Sequence, residues 1–333
     1  MSVALAMRLA LEAAWEYQFL TYPNPAVGAV VVGSCGEIVA VAAHQEAGGP
    51  HAEVLAIRDA YVKLSGDESL ADCDDAVKLH TLLPQKAKDL FHDKTIVVTL
   101  EPCNHHGKTP PCAALIERLR FKRAVVGSPD PVAGHGGGAV RLKNAGIEVI
   151  TGIEKAACDV LLEPFIKWQK GRFVFFKLAQ SLNGVIDGGT ISCEASRRWV
   201  HRVRERIDRL VIGGETVRVD RPRLDARLTG GRAPDVSILT RHPATIDRDI
   251  PLFSVPKREV DFATELPQKG LVMVEGGAGS LAALKEEIDW MVLFVAPLIK
   301  EGMGYNAPKH FRLLHQRRMG VDSMLFLKAL ADG

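Results

Sequence analysis

His51-Ala52-Glu53 and Leu100-Glu101-Pro102-Cys103-Asn104-His105-His106-Gly107-Lys108-Thr109-Pro110-Pro111-Cys112 are the two stretches on which the reading of this chain turns. One imidazole and two thiols, His51, Cys103 and Cys112, make a three-ligand metal site. Three protein ligands leave the fourth position of a tetrahedral zinc ion open to water, whereas a fourth would close the site into a purely structural one. Glu53 is not needed as a ligand, so it is free to carry a proton from that water to a ring nitrogen and on to departing ammonia. Taken singly, each residue reads better as a buried thiol or a satisfied core histidine, and it is the combination that favours metal. Pro102 and Pro110-Pro111 suit rigid turns that present thiolates at a helix start, and Ala113-Ala114-Leu115-Ile116-Glu117 continues that helix.

Outward from these stretches, the apolar spacing predicts an α/β chain. Helices are expected over 2–19, 53–63, 112–120 and 139–145, the last capped by Gly146, and strands over 27–32, 95–100 and 123–127. This order favours a sheet with helices on its faces. Residues 65–94 are polar and charged and read as an inserted, solvated helical excursion. A first domain spans 1–150, a linker 151–170, and a second α/β domain 171–333. The second domain opens with Val174-Phe175-Phe176-Lys177-Leu178 and carries strands at 210–213, 236–240, 271–274 and 291–295, with helices at 199–206 and 281–288. Its Gly-rich stretch, Val274-Glu275-Gly276-Gly277-Ala278-Gly279-Ser280-Leu281, follows a strand and opens a helix. It could cradle a diphosphate or be a plain turn, because it lacks the Gly-x-Gly-x-x-Gly fingerprint.

Composition narrows the function classes. The 333 residues, 47% of them hydrophobic, can fill two cores. A net charge of +2 with no long run of like charges argues against a nucleic-acid partner, and Arg197 to Arg209 reads as a solvated helix face interrupted by Glu205 and Asp208. Arg8, Glu12 and Glu16 break up the N-terminal apolar stretch, so neither a secretory leader nor a membrane span is expected. The six cysteines form no disulfide framework, which points to the cytoplasm.

The long-spacer zinc motif ending at Cys112, together with Tyr22-Pro23-Asn24-Pro25-Ala26-Val27-Gly28-Ala29-Val30, resembles the riboflavin-pathway pyrimidine deaminases. His44-Gln45-Glu46-Ala47-Gly48-Gly49-Pro50-His51-Ala52-Glu53 and Ser181-Leu182-Asn183-Gly184 extend the resemblance over nearly the whole chain to the bifunctional deaminase-reductase family, RibD. That resemblance implies a cytidine-deaminase-like three-layer domain followed by a dihydrofolate-reductase-like domain, with Zn2+ and NADPH as cofactors. The implied substrate is a small pyrimidine ribosylamine phosphate, and the expected assembly is a homo-oligomer. It further implies that Asn24 and His44 orient the pyrimidine, that Lys177, Arg204, Leu224, Arg227 and Glu275 contact substrate, and that the two arginines hold its phosphate. Cofactor would meet Ala179, Thr190, Thr216, Asp220, Thr240, Gly277, Ala278, Gly279 and Ser280. Apart from the resemblance, Arg218 or Arg241 could meet a 2′-phosphate, although a surface arginine is the commoner reading of either.

The chain departs from the family pattern at the reductase rim. The loop Val185-Ile186-Asp187-Gly188-Gly189-Thr190 is short and brings Thr190 where the family has a Trp, and Asn183 replaces an Asp. Three other readings stay open at this level: a deaminase whose reductase half has degenerated, a deaminase of nucleosides or tRNA, and a zinc-stabilised binding protein.

Overall fold

The computed structural model describes residues 2–107, 109–132, 134, 136–304 and 308–330; Lys108 of the zinc-motif spacer lies outside the described residues. The chain divides into two compact units, Met1–Ile166 and Lys167–Gly333.

The first unit runs α1 (Val3–Trp15), β1 (Gly28–Val32), β2 (Ile38–Ala43), α2 (Ala52–Ser65), α3 (Ala76–Lys86), β3 (Thr95–Leu100), α4 (Cys112–Arg118), β4 (Arg123–Ser128), α5 (Gly138–Asn144), β5 (Glu148–Thr151) and α6 (Lys155–Lys170). Its sheet has the order β2-β1-β3-β4-β5, with β1 antiparallel to both neighbours and β3, β4 and β5 parallel. Side chains alternate across β1, which assigns a helix to each face. Ala29 and Val31 join the core that holds Ala56, Ile57 and Ala60 of α2. On the Gly28 face, α1 comes so close that a Cβ on Gly28 would lie 1.8 Å from the Ala10 carbonyl oxygen. Only glycine fits there, and helix–sheet–helix layering follows.

Two expectations are corrected here. Residues 65–94 are not merely solvated: Leu70, Leu79, Leu83 and Phe91 are buried in the same core as the zinc-motif helix residues Leu115 and Ile116, and Phe91 stacks on Phe121 with centroids 4.9 Å apart. Apolar residues are sparse there, and these four face inward while Val77 remains exposed. Phe91→Ala is therefore expected to destabilise the protein by about 3–5 kcal/mol, read as a lowered denaturation midpoint, whereas a loss below 1 kcal/mol would return the segment to the surface. Residues 151–170 are not a linker either. Thr151 still belongs to β5, and α6 packs into the first unit through Leu162, buried in its core, and Cys158, whose Sγ lies 2.3 Å from where a Cβ on Gly127 would be.

The second unit holds β6 (Arg172–Ser181), α7 (Glu194–Arg204), β7 (Arg209–Gly213), α8 (Gly214–Asp220), β8 (Asp235–Leu239), β9 (Val260–Ala263), β10 (Gly270–Glu275), α9 (Ala278–Leu284), β11 (Trp290–Ala296), β12 (Phe311–Met319) and β13 (Asp322–Ala329). Its sheet has the order β12-β13-β11-β6-β10-β7-β8-β9. The pairs from β11 through β9 are parallel, and β13 is antiparallel to both β11 and β12. The central strands β6, β10 and β11 are continuous apolar runs, as parallel strands covered on both faces must be. Helix α7 begins at Glu194, a turn and more before the expected start at Trp199.

Candidate active sites

In the first unit, β3 delivers the chain to Glu101-Pro102-Cys103 at its carboxyl end, the edge where open α/β sheets place their ligands. His51 is the N-cap of α2 and Cys112 the first residue of α4. Two helix N-termini, with their free amides and partial positive charge, thus face the site. The ligand atoms of His51, Cys103 and Cys112 all lie within 4.8 Å of one another. His51 Nδ1 is 3.3 Å from Cys112 Sγ and 3.7 Å from Cys103 Sγ, and the Cys112 amide donates to Cys103 Sγ at 3.3 Å. Two thiols and one imidazole nitrogen converging on one point fit a zinc ion with one position to spare. Donation from the Cys112 thiol, distinct from that of its amide and aided by His51, holds the Cys103 thiol down at about 4, while the donating Cys112 thiol, fully buried, is pushed up.

Glu53 lies in the first turn of α2, 4% exposed, and burial raises its carboxyl above the usual range. Asn24 and His44 are joined: Asn24 Nδ2 is 3.1 Å from His44 Nε2, and His44 Nδ1 is 2.9 Å from the Pro50 carbonyl. Burial lowers His44 to about 4, so at neutral pH the ring is uncharged, Nδ1–H donates to Pro50 and Nε2 accepts from Asn24. The tautomer follows from the partners. Sequence reasoning missed Thr109, whose Oγ1 is 3.4 Å from His51 Nε2 and orients the ring from behind.

In the second unit the expected site residues line two adjoining cavities of about 440 and 1140 Å³. Lys177, Ala179, Arg204, Leu224, Arg227 and Glu275 line the smaller; Thr240, Ala278, Gly279 and Ser280 line the larger; Thr190, Thr216, Asp220 and Gly277 line both. Strand register explains the heart of the smaller cavity, because Lys177 of β6 pairs directly with Glu275 of β10. Arg204 donates to Glu275 Oε1 from Nε at 2.9 Å and Nη2 at 2.7 Å, and to the Asp225 carbonyl at 3.0 Å, while Lys177 Nζ lies 3.9 Å from Glu275 Oε2. Burial lowers the Lys177 ammonium, and for Glu275 it acts against Arg204 and Lys177, which prevail and keep the carboxylate low. Arg204 is thus largely engaged within the protein, and Arg227, held by Asp225 at 2.6 Å, is the more open guanidinium. His201 was missed. It lines the smaller cavity, is lowered to about 4 by burial, and accepts from the Leu228 amide at 3.4 Å.

The Gly-rich loop packs tightly: a Cβ on Gly276 would lie 2.5 Å from Ser280 Oγ, and one on Gly213 2.6 Å from the same atom. Of the two arginines considered for a 2′-phosphate, Arg218 is taken by Glu215 and Thr245, whereas Arg241 lines the larger cavity beside Thr240. Among the described residues, no helix is long and apolar enough to cross a membrane.

The chain matches the family model of the cytidine and deoxycytidylate deaminase zinc-binding region over residues 2–128 and that of the RibD C-terminal domain over 172–311. It is 33% identical over 326 residues to the riboflavin biosynthesis protein RibD of Mycobacterium tuberculosis, covering 90% of this chain and 87% of that one. It is 31% identical over 335 residues to RibD of Aquifex aeolicus, covering 88% and 86%. The solved diaminohydroxyphosphoribosylaminopyrimidine deaminase/5-amino-6-(5-phosphoribosylamino)uracil reductase of Thermotoga maritima aligns with a TM-score of 0.67 at 29% identity over 98% of this chain and 99% of that one. RibD of Acinetobacter baumannii aligns with a TM-score of 0.66 at 26% identity over 99% of each. A deaminase-type zinc unit followed by a RibD-type reductase unit, in one chain of matching extent, places this protein in the RibD family of riboflavin biosynthesis.

Proposed function

We propose that this chain removes ammonia from 2,5-diamino-6-(5-phosphoribosylamino)pyrimidin-4-one in its first unit and reduces the ribosyl group of the product to a ribityl chain in its second. The observation that carries the reading is the pairing, in one chain, of the His51–Cys103–Cys112 cluster beside buried Glu53 with the Lys177–Glu275–Arg204 group on a cavity wall. Zinc, held by the three ligands, supplies the Lewis acidity that makes water a nucleophile at neutral pH. Glu53 takes the proton from that water and returns it to the pyrimidine and then to ammonia. Asn24, its amide fixed by neutral His44, orients the pyrimidine edge.

NADPH would be held in the larger cavity and would supply the hydride. The loop Gly277 to Ser280 would hold its diphosphate, and Thr240, Thr216 and Asp220 line the same cavity. Lys177 and Glu275 would flank the ribosyl carbon to be reduced, Leu224 would pack against the substrate, and Arg227 with the two unengaged N–H groups of Arg204 would bind its phosphate. Arg241 would meet the 2′-phosphate, so Arg241→Ala should raise KM for NADPH by about tenfold, the loss of one charge-assisted contact, and leave KM for NADH unchanged. Equal effects on both cofactors would move that role elsewhere.

We infer also that the protein works in the cytoplasm, where its two ligand thiols stay reduced, and as a homo-oligomer. The decisive test is incubation of zinc-loaded protein with the diaminopyrimidine ribosylamine phosphate and NADPH, followed by mass spectrometry. A ribityl product is expected. A product that stops at deamination would limit the reading to the first unit, and unchanged substrate would overturn it.

A further inference from the structure

The segment Ile186 to Thr190 is the wall shared by the two cavities of the second unit: Ile186, Gly189 and Thr190 line both. It is short, exposed from Gly188 to Thr190, and turns through two glycines in the left-handed region, Gly188 at φ +76° and Gly189 at φ +91°. Backbone of that kind is free to wander unless something holds it. What holds it is the segment Leu298 to Met303.

Lys300 Nζ donates to the Asp187 carbonyl at 2.7 Å and to the Gly188 carbonyl at 3.1 Å, the two residues that precede the Gly189 turn. Asn183 grips the Lys300 backbone from the other side. Its Nδ2 donates to the Lys300 carbonyl at 2.9 Å, and its Oδ1 accepts from the Lys300 amide at 3.3 Å and from Ser181 Oγ at 2.7 Å. A carboxamide can donate and accept in this way, which a carboxylate cannot. The two strands of chain are laced further by Leu182 amide to Leu298 carbonyl at 2.8 Å, Ile186 amide to Met303 carbonyl at 3.0 Å, and Met303 amide to Asp187 Oδ1 at 3.0 Å. The fit is close enough that a Cβ on Gly302 would lie 2.2 Å from Asp187 Oδ1.

We propose that Asn183 and Lys300 form a clasp that fixes the Ile186 to Thr190 wall in place before any ligand arrives, and that Lys300 is thereby a positioning residue for the dinucleotide in the larger cavity. The cofactor part rests on the reductase reading above. A charged donor shared between two carbonyls is stronger than the neutral bonds beside it, so Lys300 is the main tie. Releasing it lets the wall populate open conformers, and apparent affinity falls by the fraction of time the wall is closed.

The test uses full-length, zinc-loaded protein and two variants. Lys300→Met keeps the stem and removes the donors, and Asn183→Asp keeps the Lys300 charge but loses the donation to its carbonyl. Hydrogen exchange without cofactor is read at the Val185 and Ile186 amides, which bond to Ser181 Oγ and the Met303 carbonyl. NADPH dissociation constants are measured by calorimetry. Both variants should exchange at least about tenfold faster at these amides and bind NADPH about tenfold more weakly. Unchanged exchange overturns the clasp. So does faster exchange with unchanged NADPH affinity, and weaker binding by Lys300→Met alone would make Lys300 a charge for the cofactor and not a tie for the wall. Failure of the unsubstituted protein to bind NADPH would count against the reductase reading, and the exchange rates would then decide the clasp by themselves.

Discussion

Glu53→Gln should abolish deamination while zinc content, measured by inductively coupled plasma mass spectrometry, stays near one per chain. The expected loss is on the order of a thousandfold, typical for removal of a positioned acid-base group. Glutamine keeps the shape and the hydrogen-bonding reach of a side chain that is only 4% exposed, so the fold has little reason to respond. It cannot accept and release a proton at its terminal oxygen. The ligand set is separate, because His51, Cys103 and Cys112 converge without Glu53. His51→Ala is the contrasting case, in which metal and activity go together. Near-normal turnover by a zinc-loaded Glu53→Gln protein would mean another group moves the proton, with the neutral His44 the first to examine.

Glu275→Ala should remove reduction and destabilise the second unit by about 3–5 kcal/mol, the usual result of taking one partner from a buried ion group. Glu275 is the anion between two cations whose side chains are 18% exposed for Lys177 and 9% for Arg204. Without it, two positive charges face each other in a site that water reaches poorly. Lys177 answers by giving up its proton more readily still, since burial and Arg204 already press its ammonium downward. Denaturant unfolding followed together with NADPH oxidation separates the two effects. A variant as stable as the parent would show that water, not Glu275, balances these charges.

The convergence of His51, Cys103 and Cys112 was legible because it is local: short motifs carry the three residues, and proline-set turns and helix starts bring them together. The central strands of the second unit were legible for a similar reason, since runs such as Phe173-Val174-Phe175-Phe176 can only be buried. What escaped had mixed signals. Cys158, Leu161, Leu162, Phe165 and Trp168 follow helical spacing and are all buried, yet Pro164 among them and the polar residues between made α6 look like a connector. The hairpin of β12 and β13 hid behind Arg312, Gln316, Arg317 and Arg318 on its outer strand. The tie between Asn183 and Lys300 and the reach of Thr109 behind His51 join residues far apart in the chain, and no pattern along the sequence announces such pairs.

The first unit closes later than its motifs suggest, and that governs where the two activities can be parted. A gene cut at residue 150 would keep every zinc ligand but discard Leu162 from the core, Cys158 from its seat against Gly127, and the Leu161 carbonyl that accepts from Gln18 at 2.8 Å. The fragment would be a deaminase with an open flank. Fission, whether natural or engineered, therefore has to spare α6 at least as far as Ile166, and that stretch of helix marks how much chain an isolated deaminase must carry to remain folded.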